Sequence, residues 1–355
     1  MSSRSERQSE NILRAASAIG ICAAIVAVTG CSESQPLIGT PARAANAASN
    51  PPRKALPEYM YVANDIQVGS SWSSAISIYP AAANGNVYPS MVISGSQTQL
   101  MHLAGIVVSA SGEIYVANEE GSILGFAPGS SGDASPNVVI SGSQTELSRP
   151  TGLSLDSKGN IYVANCASGC GVGSQPPAVL EFSAKSNGNV APIRNISGSE
   201  TEFENANDVV LDASREIYVS DYVSNGIYVF ASDANGNVQP IRAISGSDTL
   251  LNQPDGIAVD RDGLYAGSAA DHFVERFKVT ANGNAPPRVV ISGTKTHLLN
   301  VDGIALDSRG AIYASNPGNK RILKFAAMAH GNAEPIADIH GSNTGLVLPV
   351  WVYVR

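Results

Sequence analysis

The chain has 355 residues, with 22 Lys and Arg against 30 Asp and Glu, for a net charge of −8. Hydrophobic residues make up 43%, charged residues 15% and aromatic residues 6%, with 34 Gly and 20 Pro; this is a turn-rich globular composition with enough apolar residues for a large core. No run of Lys or Arg is present to track phosphates, which excludes nucleic acid as a partner and leaves small molecules, cations and other proteins.

Arg4, Arg7 and Arg14 lie in a polar opening, followed by an uncharged, mostly apolar run over 15–28, the layout of a secretory signal. A permanent span needs about 20 apolar residues, so this run is too short to be one. It ends in Val28-Thr29-Gly30-Cys31. That tetrad resembles the bacterial lipobox, which implies cleavage after Gly30 and diacylglycerol on Cys31, with the alternative of ordinary signal cleavage nearby. A lipid-anchored, exported protein at the cell envelope is expected, on the outer membrane if the host is Gram-negative. Residues 1–30 are thus read as a signal peptide. Residues 31–57, rich in Ser, Ala, Pro and Asn, read as a flexible tether spanning roughly 25 to 30 Å.

From residue 58 onward the chain repeats. Ile93-Ser94-Gly95-Ser96-Gln97-Thr98 recurs at Ile140, Ile196, Ile244, Ile291 and, more loosely, Ile339, and the glycines of the six copies are spaced by 47, 56, 48, 47 and 48 residues. A second element, Met60-Tyr61-Val62-Ala63-Asn64, has five further copies ending at Asn118, Asn165, Asp221, Ser268 and Asn316. This period fits a four-stranded propeller blade. Each unit reads as a small apolar first strand such as Gly256-Ile257-Ala258-Val259, a tight turn with Asp260, and a second strand. A third strand ending in an aromatic follows, then a turn such as Asn235-Gly236-Asn237 and a fourth strand. The repeated Asp156, Asp212, Asp260 and Asp307 read as turn-stabilising residues, and the Thr of Ser-Gly-Ser-x-Thr as a corner between blades. The expected fold is all-β, a six-bladed β-propeller over 58–355. Pro349 to Val354 aligns with other first strands and closes the first blade, removing the open sheet edges. Val350-Trp351 replaces the usual small pair and puts a bulky ring near the channel.

Pro254-x-Gly256-Ile257-x-Val259-Asp260, Gly112-Glu113-Ile114-Tyr115-Val116-Ala117-Asn118 and Asn319-Lys320-Arg321-Ile322-x-x-Phe325 resemble NHL-type repeats. More distantly, the chain is similar to the gluconolactonase and senescence-marker propellers. A propeller follows from the resemblance, whereas a function does not.

Two rings of oxygen-bearing residues are expected at one mouth of the channel. Ala104, Thr151, Asn207, Asp255, Asp302 and Val350 open the first strands, and Asn64, Asn118, Asn165, Asp221, Ser268 and Asn316 close the second strands. Asn64, Asn118, Asn165, Asp221, Asn316 and Thr151 are the candidate ligand contacts. Similarity to the gluconolactonases implies Ca²⁺ bound by Asn165, Asn207, Asp255 and Asp302; the alternative is that such residues cap turns. His272 beside Asp271 is the candidate catalytic pair. The third unit carries nine extra residues with Cys166 and Cys170, a natural disulfide pair in an exported chain and a rim loop suited to ligand contact. Hydrolase-elbow, Walker, HExxH and Rossmann motifs are absent from the sequence. The reading is a monomeric module that binds a small ligand or an envelope protein at its mouth, and the alternative is a cation-dependent lactone hydrolase.

Overall fold

The computed structural model describes residues 58–68, 71–166 and 176–355. The signal, the tether and Cys31 lie outside these residues, as do Cys170 and most of the nine-residue insertion. The described chain is a six-bladed β-propeller, each blade a four-stranded antiparallel sheet. Blade 1 holds Tyr59–Val68, Ser71–Pro80 and Met91–Ile93, and its innermost strand is the C-terminal Leu348–Val354, as expected from the repeat alignment. The first strands of blades 2 to 6 are Leu103–Val108, Arg149–Leu155, Ala206–Leu211, Pro254–Val259 and Ile304–Leu306.

The two repeated motifs interlock. In each Ser-Gly-Ser-x-Thr corner the threonine is buried, and its Oγ1 donates to the glycine carbonyl, as from Thr98 to Gly95 at 2.7 Å and from Thr344 to Gly341 at 2.8 Å. The side chain that follows the glycine of the next blade's Asn-Gly-Asn turn reaches over this corner. Asn237 Oδ1 accepts from Glu200 N at 2.7 Å, and Asn284 Oδ1 accepts from Asp248 N at 2.7 Å. The same clasp joins blade 1 to blade 6, where Asn86 Oδ1 accepts from Asn343 N at 2.7 Å. Glycine is required at these corners on two counts. Gly246 has φ of 121°, and a Cβ there would lie 2.5 Å from Asn284 Oδ1.

The channel wall has its own glycine pattern. At the second position of the first strands stand Gly105, Gly152, Asp208, Gly256, Gly303 and Trp351. Asp208 on blade 4 and Trp351 on blade 1 therefore face each other across the ring. The glycines beside them make the room: a Cβ on Gly152 would lie 2.1 Å from Asp208 Oδ1, and one on Gly303 would lie 3.1 Å from Trp351 Cγ. Trp351 lines both the cavity at the mouth and a second one of about 310 Å³ further down the channel, so its ring lies between them. Asp208 is buried and joins blades 4 and 5 by accepting from Ile257 N at 2.8 Å, with burial holding its carboxyl well above the usual range.

Candidate functional site

The mouth cavity has a volume of about 290 Å³. All six residues that open the first strands, Ala104, Thr151, Asn207, Asp255, Asp302 and Val350, line it. They come together because each occupies the same position on a strand running down the channel wall, so its side chain meets its five counterparts at one height. Three of the four expected cation ligands are among them. Asn207 Nδ2 donates a short hydrogen bond to Asp255 Oδ1, and Asn300 Nδ2 donates to Asp302 Oδ1 at 2.7 Å. Among the described residues nothing donates to Asp255 Oδ2 or Asp302 Oδ2, and no ion pair reaches either carboxylate. Gly256 N–H donates to Asp302 O at 2.7 Å, which fixes the two acid-bearing strands against each other.

Enclosure by the channel wall, with Glu119 adding to it, raises the Asp255 carboxyl to about 7 against the pull of Asn207. Asp302 is raised well above its usual value by the same enclosure and by the Asp255 charge. Tyr222, which follows the second strand of blade 4, lines the cavity too, and enclosure together with both aspartates raises its phenol, keeping the hydroxyl protonated.

Asn165 does not join this group, which corrects the expected ligand set. Its Oδ1 accepts from Ser148 N at 2.9 Å and its Nδ2 donates to Glu146 O at 3.2 Å. The rest of the second ring is placed likewise. Asn64 accepts from Val347 N at 2.9 Å and donates to Gly345 O at 3.1 Å. Asn118 accepts from Met101 N at 3.1 Å and donates to Gln99 O at 2.8 Å, and Asn316 does the same for Leu299 N at 2.7 Å and His297 O at 2.8 Å. Asp221 takes the N–H groups of Glu204, Asn205, Val223 and Ser224. These buried side chains hold the loop that leads into each first strand and do not line the mouth cavity. Asn118→Ala is expected to lower stability by about 1–3 kcal/mol, the scale for stranding buried partners. Ligand affinity at the mouth should stay unchanged, which denaturant unfolding paired with a binding titration checks.

Thr151 is in the cavity wall, its hydroxyl donating to Ala164 O at 3.1 Å. The catalytic pair suggested by the sequence is not there. His272 Nδ1 accepts from Asn300 N at 2.8 Å, which spends the nitrogen on a loop, and Asp271 Oδ2 accepts from Asn252 Nδ2 at 3.1 Å. Cys166 is fully buried at the end of its strand.

Glu119 and Arg149 are cavity residues that the repeat alignment passed over. Arg149 Nε and Nη2 donate to Glu119 Oε2 at 2.9 and 2.6 Å, a two-pronged pair joining blades 2 and 3 at the rim. Enclosure raises the Glu119 carboxyl despite this partner. The signal was one residue away, since Glu119 directly follows Asn118 and Tyr222 directly follows Asp221.

A six-bladed propeller whose mouth carries two aspartates and an asparagine from three successive blades is thereby defined. A family model for the SMP-30/gluconolactonase/LRE-like region matches residues 82–278, more than half of the chain, and the chain belongs to that family. No curated protein matches its sequence. Among solved structures it is similar to a protein of unknown function from Bacteroides caccae, at 11% identity and TM-score 0.59, covering 84% of this chain and 99% of that one. It is also similar to a chain of the nidogen/laminin complex, at 13% identity and TM-score 0.56, covering 84% and 98%. A streptogramin B lyase structure is a third, at 12% identity and TM-score 0.50, covering 81% and 89%. At such identities the likeness is one of fold.

Proposed function

We propose that the mouth cavity hydrolyses a small lactone or ester with the help of a divalent cation. The observation that carries this reading is the convergence of Asn207, Asp255 and Asp302 on one cavity, with Oδ2 of each aspartate accepting no hydrogen bond from a described residue. Family membership supports the same chemistry. The donor set fits a hard cation, since two carboxylates and an amide oxygen would hold it and water or substrate would complete the shell. No cluster of three or more His, Cys, Asp or Glu suited to a metal occurs among the described residues, so a cation held here would depend on Asn207 for a third protein donor. When bound, the cation supplies polarisation of the scissile carbonyl and acidification of a water molecule.

The remaining steps belong to the chain. Glu119 lines the cavity with its Oε2 held by Arg149, so Oε1 is the oxygen that would take the proton of the attacking water. Its raised pKa suits a group that must accept and then return a proton. The Tyr222 hydroxyl, kept protonated, donates to the ring or leaving oxygen. Trp351, Leu103 and Val350 offer an apolar floor for the carbon skeleton. A cavity of about 290 Å³ limits the substrate to a small ring. The test is a panel of small lactones and esters, assayed after chelation and again after adding back Ca²⁺, Mn²⁺ or Zn²⁺. Cation-restored turnover is expected, and lack of turnover on every member with every cation would defeat the proposal.

A second reading, a ligand-binding module without chemistry, rests on the Asn207 to Asp255 hydrogen bond, which occupies a carboxylate oxygen in the cation-free form. Under it, panel members bind without being consumed.

The setting is proposed from the sequence alone. Cys31 carries a lipid that holds the propeller at the cell envelope, and Cys166 pairs with Cys170 to shape a rim loop. Mass spectrometry of the mature N-terminal peptide tests the first, and counting thiols that alkylate before and after reduction tests the second. An unlipidated Cys31, or a Cys166 free in unreduced protein, would overturn the respective assignment.

A further inference from the structure

The face opposite the mouth holds a second site. A groove of about 1020 Å³ runs between blades 5 and 6, lined by Arg261, Arg276, Arg288 and Arg309 among others. The strand Pro254–Val259 has Asp255 at its mouth end and the turn at Asp260 at its other end. At about 3.3 Å per residue the groove and the mouth are therefore roughly 15 Å apart.

Comparison between blades shows what is unusual here. In blade 4, Arg242 lies 5.8 Å over the Tyr218 ring and its charge is met by Glu216 at 2.6 Å. In blade 6, Lys324 lies 4.6 Å over Tyr313 and is met by Asp307 at 3.2 Å. In blade 5, Arg276 lies 5.9 Å over Tyr265 in the same way, but no carboxylate meets it among the described residues. The residue two places before the tyrosine, Glu216 in blade 4, is Gly263 in blade 5. A Cβ on Gly263 would lie 2.8 Å from Arg276 Cγ, so the arginine stem fills the room that an acidic side chain would need.

The carboxylates lining the groove are already engaged. Asp260 Oδ1 accepts from Asp262 N and Gly263 N at 2.8 and 2.9 Å, and Asp307 is held by Lys324 and by the turn N–H groups of Arg309 and Ala311. Asp262 faces Arg261 at 3.6 Å. Among the described residues Arg276, Arg288 and Arg309 thus make no ion pair, on a protein whose net charge is −8. Met328, 72% exposed, forms an apolar lip beside them and touches Arg276 Nη1 through its sulfur at 3.8 Å.

We propose that this groove binds a phosphate ester. Guanidinium groups pair bidentately with phosphate oxygens, and the contact with the Tyr265 ring helps to hold one of them in place in advance. The volume leaves room for the organic substituent of the ester, and Met328 gives it an apolar surface. The same chemistry is offered by a soluble phosphate ester and by an anionic lipid headgroup, so the test has two arms. Full-length protein carrying Cys31→Ser, which removes the proposed anchor, is titrated with glycerol 3-phosphate in the presence of chelator. It is separately sedimented with phosphatidylcholine vesicles with and without phosphatidylglycerol.

Saturable binding in the first arm assigns a soluble ester, and binding confined to phosphatidylglycerol vesicles assigns a headgroup. In either arm the Arg288→Ala, Arg309→Ala double variant, two exposed side chains whose loss leaves the fold intact, should weaken binding on the order of tenfold or more, the scale of losing charge-assisted hydrogen bonds. Absence of binding in both arms, or binding unchanged in the double variant, would overturn the assignment.

Discussion

Asp255→Asn is expected to abolish cation binding at the mouth and hydrolysis with it, while leaving the cation-free protein at least as stable as the parent. The substitution keeps the shape of the side chain and a partner for Asn207 Nδ2, which now donates to the carboxylate. It removes one of two enclosed carboxyls on adjacent strands whose ionisation burial and mutual repulsion disfavour. Holding these groups where ionisation is costly opposes folding at neutral pH, so replacing one by a neutral amide stabilises the cation-free state. A bound cation loses one of only two carboxylate ligands. Changing a residue that merely supports a metal ligand costs about 10 to 100-fold in affinity or activity, so loss of a ligand should exceed about 100-fold. Asp302→Asn should behave alike, whereas Asn118→Ala should lose stability without losing the site. Steady-state turnover and thermal melts of the three variants separate these outcomes. Loss of stability in cation-free Asp255→Asn would show that the carboxylate serves the fold.

Glu275→Leu is expected to stabilise the protein, and increasingly so as pH rises. Glu275 is completely buried in the third strand of blade 5, at a position filled by Leu124, Leu180, Tyr228 and Leu323 in the neighbouring repeats. Its Oε1 accepts from Ser268 Oγ at 2.9 Å, while Oε2 has no hydrogen-bond partner among the described residues. Burial raises its pKa from the ordinary 4.5 to about 8 against the opposing Ser268 bond, with Asp271 adding a small upward push. Asp271 is the charged group that faces it, and no ion pair among the described residues reaches it.

The sign follows from proton counting. Between about 4.5 and 8 the folded state holds a proton that the unfolded state has released, so stability is greatest below the unfolded value and falls as pH rises toward the folded one. At about 1.4 kcal/mol per unit the loss reaches about 4–5 kcal/mol once both states are ionised. Leucine removes that slope and fills the space with the side chain other blades use. Chemical denaturation at pH 5 and pH 9 should show a much larger gain at pH 9. Equal gains at both values would mean that Glu275 ionises normally inside the fold.

Much of the architecture can be read from repetition alone. The spacing of the Ser-Gly-Ser-x-Thr glycines counts the blades, and the likeness of Pro349–Val354 to other first strands places the seam, because a closed ring needs every unit to meet an equivalent neighbour. The mouth was legible for the same reason, since one position per first strand converges on one cavity. What misled was residue chemistry. Asn64, Asn118, Asn165 and Asn316 look like ligands because an amide offers a donor and an acceptor, yet those are also the two groups that a loop with unpaired N–H and C=O needs.

Variation from blade to blade held the distinguishing clue. The second ring is nearly uniform, as suits a duty shared by all blades, whereas the first runs Ala, Thr, Asn, Asp, Asp, Val, as suits a site built once. Glu119 and Arg149 escaped notice because their pairing spans two blades and 30 residues, beyond any local pattern. His272 drew attention by type, but its loop bends its ring onto Asn300 N.

The decisive experiment is a calorimetric melt of chelated protein and of its Asp255→Asn variant, titrated with Ca²⁺, Mn²⁺ and Zn²⁺. A cation bound only by the folded state adds about 2.7 kcal/mol at a hundred times its Kd, a rise of several degrees for a domain of this size. The expected result is such a rise at one equivalent per chain for at least one of the three cations, and its absence in the variant. A parent melt that none of the cations moves, or an equal rise in both proteins, would mean that Asn207, Asp255 and Asp302 do not form a cation site.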